Sequence, residues 1–349
     1  MKNKKIAVLH AQIPFSYGGA ELMVKSLVEE LKKRKFDAEL ISVPFRWYPE
    51  NGLYDNMLMW KMLDLTETNG EKIDLVIPTK FPTYGIQHPN KVLWLMHQHR
   101  AAYDLYDNKA HFGMGTIENG DKMRQRVKAF DNQTIPQCEK IFSISQNVAE
   151  RLKKYNGIEA NALYHPPSMV GRYYCDKFEP YILSVGRLDP LKRIDLLIKS
   201  LPYSDVRMCV RIVGKGPEQD NLKKLAADLN VEDRVKFLGF VSDEELLELY
   251  ANAQAIYFAP VDEDYGYVTL EAFLSRKPII TCTDSGGVLE FVENEVNGWV
   301  CSPDETMLGN VVNGICMKQK VCQEFGQNGY ERVKNISWNQ VIDSLTYGI

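Results

Sequence analysis

Short apolar runs bounded by polar residues, glycine or proline recur along this chain, and between them apolar residues fall at helical spacing. The first run, Lys5 to Ala11, is followed by the loop Gln12-Ile-Pro-Phe-Ser-Tyr-Gly18-Gly19-Ala-Glu21 and an amphipathic stretch reaching about Lys33. Ala38–Val43, Ile73–Ile77, Lys91–Met96 and Lys140–Ile144 are further strand candidates, and Gln146–Tyr155 reads as a helix. The segment from about His99 to Gln133 reads as helical and aromatic-rich; it is long for a connector, and inserted segments of that kind often carry specificity. Tyr164-His-Pro-Pro-Ser is a punctuated hinge. A second series follows: Tyr181–Val185, Arg207–Val213, Val235–Leu238, Ala255–Ala259, Pro278–Cys282 and Trp299–Cys301, with helical patterns between. Two successive β/α series predict an α/β protein of two doubly wound, Rossmann-like domains facing each other across a cleft. The expected boundaries are 1–166, 167–335 and a C-terminal helix, 336–349, crossing back to the first domain.

The bulk properties agree with two domains. At 349 residues the chain exceeds one ordinary core, and 45% apolar with 25% charged residues is a globular composition. The mean hydropathy of −0.30 and the lack of any apolar run near about 20 residues argue against membrane spans. Met1-Lys-Asn-Lys-Lys-Ile6 enters a strand-like run at once, with no secretory h-region. The 7 cysteines are scattered without a Cys-x-x-Cys pair, which fits reduced thiols in a cytoplasmic protein. Residues 1–165 hold 23 Lys+Arg against 19 Asp+Glu, and the remainder 19 against 27. The mildly basic first half suits peripheral contact with an anionic inner membrane face or an anionic acceptor, and equally suits ordinary surface charge. No basic run interleaved with aromatics is present, so nucleic acid is not an expected partner.

The candidate chemistry centres on Pro260-Val-Asp-Glu263-Asp-Tyr-Gly266-Tyr-Val268-Thr-Leu-Glu271-Ala. Ala255–Ala259 before it is strand-like, and Val268 to Leu274 after it begins a helix. Glu263 then sits on the loop leaving a strand's C-terminal edge, where ligands bind in open α/β sheets, and Glu271 in the first turns of the next helix. A helix N-terminus beside that edge suits a phosphate, and glycine at 266 admits close approach. Solvated surface glutamates would give the same two letters. Four further motifs fall at strand ends: Ser184-Val-Gly186-Arg187-Leu-Asp-Pro-Leu-Lys192-Arg193, Val213-Gly214-Lys-Gly216-Pro-Glu218, Leu238-Gly239-Phe-Val241-Ser and Ser285-Gly286-Gly287-Val-Leu-Glu290. An Arg fork with a Lys point charge suits a diphosphate, and a Gly-x-Gly turn lets a flat ring approach the backbone.

Together these motifs resemble the retaining family 4 glycosyltransferases of the GT-B fold, over essentially the whole chain. The Gly-Arg…Lys, Glu–seven residues–Glu and Gly-Gly-x-x-Glu elements occur in the family's order. Where the family often has Glu-Gly-Phe-Gly, this chain has Glu263-Asp-Tyr265-Gly266. The resemblance implies that Arg187 and Lys192 grip the diphosphate and that Glu263 faces the donor sugar. It implies that Glu271 takes the ribose hydroxyls and that backbone around Tyr265, Gly266, Tyr267 and Val268 meets the phosphates. Gly18 and Gly19 would approach the pyrophosphate, and Gly214 and Val241 would lie by the base. A histidine at an N-domain strand end commonly faces the donor sugar; in Trp94-Leu-Met-His97-Gln-His99-Arg100 the favoured one is His97, with His99 left open. Asp262-Glu263-Asp264 also matches an Asp-x-Asp metal pattern, discounted because Arg187 and Lys192 supply the charge; no metal and no cofactor are expected.

The function so implied is metal-independent hexosyl transfer from a nucleotide-diphosphate sugar, UDP favoured and GDP next, to a glycan, lipid-linked or polysaccharide-precursor acceptor. Front-face substitution is preferred over a covalent intermediate on Glu263. A nucleotide-sugar epimerase of the same fold and a non-catalytic two-domain binding protein are the alternatives.

Overall fold

In a computed structural model of the chain, residues 2–16, 18–48, 50–109, 113–205, 207–316 and 318–349 are described. Tyr17 of the glycine loop and part of the aromatic-rich segment, 110–112, lie outside the described residues. Contacts divide the chain into residues 1–168 with 337–349, and residues 169–336.

In the first unit β1 (Lys5–Gln12) is the central strand of a parallel sheet, flanked by β2 (Asp37–Pro44) and β5 (Leu75–Pro78). A small antiparallel hairpin, β3 (Glu67–Thr68) and β4 (Glu71–Lys72), precedes β5. β6 (Val92–Leu95), β7 (Lys140–Ser143) and β8 (Asn161–Ala162) form a second parallel set, joined to the first by the bridge Val76–Lys91. Ile6 to Leu9 and Leu75 to Ile77 are all buried, because a parallel sheet covered on both faces needs continuous apolar strands. α1 (Gly19–Lys33) buries Met23, Val24, Leu27, Val28 and Leu31, the stripe its periodicity predicts. α4 (Gln146–Asn156), matching the helix expected from Gln146, and α11 (Trp338–Thr346) belong to this unit, with the Trp338 ring 6.1 Å from Trp94 and 5.7 Å from His165.

Two stretches depart from the sequence reading. Among the described residues, the segment expected to be helical from His99 is α-helical only in α3 (Gly120–Thr134), with 3₁₀ turns at Arg100–Ala102 and Met114–Thr116 before it. Asn119 stands immediately before α3 in the left-handed conformation, φ 58°, which ends any regular run. α2 (Glu50–Met62) has no counterpart in the pattern reading. Asn56 occupies an inward position, donating to the Gly52 and Arg46 carbonyls at 2.8 and 3.1 Å, while Leu58 and Met62 face outward. An apolar stripe interrupted this way has no clear period.

Asp131 of α3 is fully buried and accepts hydrogen bonds from Tyr84 at 2.6 Å and Tyr103 at 2.7 Å. Burial raises its carboxyl to about 7 despite those donors. Because the folded-state value lies above the unfolded one, the stability it lends is present at about pH 4 and lost as pH rises toward 7. Relative to Asp131→Asn, wild type should therefore lose up to about 4 kcal/mol between those limits, checked by urea unfolding at several pH values. A difference that stays constant with pH would remove Asp131 as the titrating group.

In the second unit six parallel strands lie in the order β11-β10-β9-β12-β13-β14. These are β9 (Tyr181–Val185), β10 (Cys209–Val213), β11 (Val235–Gly239), β12 (Ala255–Tyr257), β13 (Ile279–Cys282) and β14 (Gly298–Cys301). Helices α5 (Ile194–Ser200), α6 (Gln219–Asp228), α7 (Asp243–Asn252), α8 (Tyr267–Leu274), α9 (Glu305–Cys316) and α10 (Gln319–Val333) alternate with or follow them. Ile182, Val210, Ile212, Tyr257, Ile280 and Leu308 are among its core residues. Chain order reverses between β9 and β12, the topological switch point at which doubly wound sheets bind ligands. Among the described residues no helix is long and apolar enough to cross a membrane.

Candidate active site

The loops leaving β9 and β12, on either side of the switch point, are laced to one another and to the loop leaving β13. Val261 N–H donates to Leu191 O at 2.8 Å, Asp262 N–H to Asp284 O at 2.9 Å and Gly287 N–H to Glu263 O at 2.8 Å. This backbone frame brings Lys192 and Glu263 into an ion pair, with Lys192 Nζ 5.5 Å from the Phe258 ring centroid. Both side chains are 22% exposed, so the pair is open to a ligand while partly shielded from water. Arg187 stands exposed on the same loop as Lys192. Gly214, at the end of β10, has φ 128°, and a Cβ there would lie 1.9 Å from Gly186 O. The ends of β9 and β10 can meet only because that side chain is missing.

Gly266 is the N-cap of α8 in the left-handed conformation, φ 84°, which turns the chain from the Glu263 loop into the helix. Tyr265 before it is 4% exposed, its ring edge-on to Tyr267 and Phe291, so what it offers a ligand is backbone. Val268 is buried in the first turn, and Glu271 follows in the second. Glu271 Oε2 accepts a hydrogen bond from Tyr250 of α7 at 2.7 Å, and the buried Tyr173 hydroxyl faces the same carboxylate. Burial raises the Glu271 carboxyl above the ordinary range, and the two tyrosines oppose that shift. Val241 borders a hollow of about 390 Å³ with Tyr181, Arg211, Leu238 and Phe240. Gly287 and Glu290 lie on a short 3₁₀ turn, and the backbone of Gly286 bridges Glu263.

In the first unit, Gly18 and Gly19 are exposed at the start of α1, and Gly18 N–H donates to Glu21 Oε2 at 2.8 Å. Beneath that turn His10 Nε2 lies 3.4 Å from Glu21 Oε1, and Lys80 Nζ lies 4.0 Å from the same oxygen. His10 and Lys80 escaped the sequence reading, since nothing local marks strand-end residues that meet only across the sheet. His97 is half-buried after β6, its Nδ1 2.6 Å from the Gln98 carbonyl, which requires the Nδ1–H tautomer. The His99 ring is boxed by Phe45, Trp47 and Phe81 at 6.0, 6.4 and 5.3 Å, and burial lowers its imidazole to about 4. It is therefore neutral at physiological pH. Among the described residues no group of three or more His, Cys, Asp or Glu side chains is placed to hold a metal ion.

Residues 175–332 match the family model described as glycosyl transferases group 1. A glycosyltransferase of Methanocaldococcus jannaschii is 33% identical over 170 residues, covering 47% of this chain and 43% of its own length. The O-antigen chain mannosyltransferase RfbU of Salmonella typhimurium is 27% identical over 151 residues, covering 42% of this chain and 43% of its own. The chain thus spans about half the length of the curated relatives it matches. In fold it is similar to the sucrose-phosphate synthase of Thermosynechococcus elongatus, with TM-score 0.78 and 16% identity over 98% of this chain and 97% of that one. It is also similar to Anabaena HepE in complex with UDP and glucose, with TM-score 0.69 and 17% identity over 97% and 99%.

Proposed function

We propose that this chain, whose residues 175–332 match the group 1 glycosyltransferases and whose fold is similar to GT-B enzymes, is a family 4 glycosyltransferase that transfers a sugar from a nucleotide-diphosphate donor with retention of configuration. The observation that carries this is the meeting of Lys192 and Glu263 at the sheet's switch point, on loops that also carry the exposed Arg187 and lead into α8. A cation and a carboxylate there match the two ends of a nucleotide sugar: diphosphate for Lys192 and Arg187, sugar hydroxyls for Glu263. Glu271 takes the ribose hydroxyls, backbone around Gly266, Tyr267 and Val268 takes phosphate oxygens, and Gly214 and Val241 lie toward the base. In the first domain the family resemblance assigns Gly18 and Gly19 to the donor pyrophosphate and His97 to the donor sugar.

UDP is the favoured nucleotide, since HepE, of similar fold, holds UDP and glucose, and GDP is next. The acceptor is a glycan or lipid-linked saccharide, met in the cytoplasm or at the inner membrane face. With Arg187 and Lys192 neutralising the leaving group, no metal is needed. The departing phosphate oxygen takes the acceptor's proton in a front-face substitution. The test is a melting-temperature panel of UDP-, GDP- and ADP-sugars, run with and without EDTA. A ligand bound only by the native state raises the melting point. One nucleotide class should do so, equally in EDTA. No shift from any of them would sink the donor reading, and a shift abolished by EDTA would make Asp262 and Asp264 metal ligands. Free nucleoside diphosphate released only when acceptor is present separates transfer from epimerisation or simple binding.

A further inference from the structure

Arg193 follows Lys192 in the loop after β9, and its backbone is left-handed, φ 48° and ψ 40°. A residue with a Cβ persists in that conformation only where its surroundings hold it, and glycine would adopt it without strain. Here the guanidinium does the holding. Its Nε donates to Ala259 O at 2.7 Å and its Nη2 to Pro260 O at 2.9 Å. Nη1 and Nη2 then grip the two carboxylate oxygens of Asp284 at 3.0 and 2.7 Å, the two-point geometry that only a planar fork provides. The Arg193 carbonyl in turn accepts from Tyr257 Oη at 2.8 Å. The side chain is 12% exposed and points into protein, unlike Arg187.

One side chain therefore joins three loops: its own, which carries Arg187 and Lys192; the loop after β12, which carries Glu263; and the loop after β13, which carries Gly286 and Gly287. We propose that Arg193 is a positioning residue that sets the spacing between Lys192 and Glu263 across the switch point. The inference rests on reading this site as the donor site. Lys192 holds the leaving diphosphate and Glu263 the sugar that departs from it, so an error in their separation falls on the transition state more than on ground-state binding. Arg193 touches neither; it acts through the loops.

The test compares Arg193→Gly, which relieves the left-handed backbone but deletes the tie, with Arg193→Lys, which keeps charge but cannot grip Asp284 at two points. Each is assayed for melting temperature, for affinity toward UDP, GDP and ADP by calorimetry, and for donor turnover by release of the nucleoside diphosphate. The expected result is a fall in kcat of at least about tenfold in both variants, with donor KM within about threefold of wild type. A merely conformational role predicts that Arg193→Gly is as active as wild type. Should the glycine variant fail to fold, the lysine variant decides: unchanged kcat there overturns the positioning role. A wild-type protein that binds none of the three nucleotides overturns the donor-site reading, and this proposal with it.

Discussion

Lys192→Ala should lower turnover at saturating donor by at least about tenfold, roughly 1.4 kcal/mol or more of transition-state stabilisation, and Arg187→Ala should do likewise. Lys192 carries the larger expectation because of its place in the structure. Its ammonium is paired with Glu263 and lies 5.5 Å from the Phe258 ring centroid at the switch point, whereas Arg187 is exposed. Removing Lys192 also deletes a cation that offsets the Glu263 carboxylate beside an incoming diphosphate, a like-charge penalty added to the lost contact. Glu263→Gln in the Lys192→Ala background should therefore cost less than it costs alone. Effects on kcat that add within about 0.5 kcal/mol would mean that the two residues do not work as one unit.

The second large effect separates the two glutamates. Glu271→Gln should raise donor KM by about tenfold while leaving kcat within about threefold, and Glu263→Gln should do the opposite. A ribose contact is made equally in ground and transition states, and its loss weakens binding uniformly. On the proposed reading Glu263 stands where positive charge develops on the departing sugar, so deleting its charge should act on the chemical step. The glutamine at 271 retains an oxygen that can accept from Tyr250, which makes a folding defect a poor explanation for a changed KM. The pH profile supplies an independent check. Burial raises the Glu271 carboxyl, so it gains its proton at a higher pH than an ordinary glutamate as the solution is acidified. Donor affinity should then weaken on the acid side in wild type, and this limb should be absent in Glu271→Gln. Identical kinetic signatures for the two variants would end the division of labour.

Much of this arrangement could be read from local pattern, and the reason is the parallel sheet. Strands covered on both faces must be apolar throughout, so Tyr181–Val185 and Ile279–Cys282 stand out as runs against their polar surroundings. Loops at strand ends need glycine where chains approach closely, so Gly214 and Gly266 marked those ends as well. α2 and the stretch before α3 could not be read this way. Asn56 sits inward because carbonyls of Gly52 and Arg46 lie within its reach, and Asn119 turns left-handed just ahead of α3. Those are decisions of packing, invisible in any short window.

The same division runs through the site. The chain by itself determined which chemical groups stand at which strand ends, because residue type and spacing carry charge, donor geometry and backbone freedom. It therefore specified Arg187, Lys192, Glu263 and Glu271 as candidates. Only the tertiary structure decided which of them meet. Strand order places β12 beside β9, and so brings Lys192 against Glu263 and Arg193 against Asp284, partners 71 and 91 positions away. It also put Tyr250 against Glu271 and set the His99 ring among three aromatic rings, with His97 and His99 both half-buried. Contacts of that range follow from sheet order and loop closure, and these are settled by the total free energy of packing, which no local stretch of sequence contains.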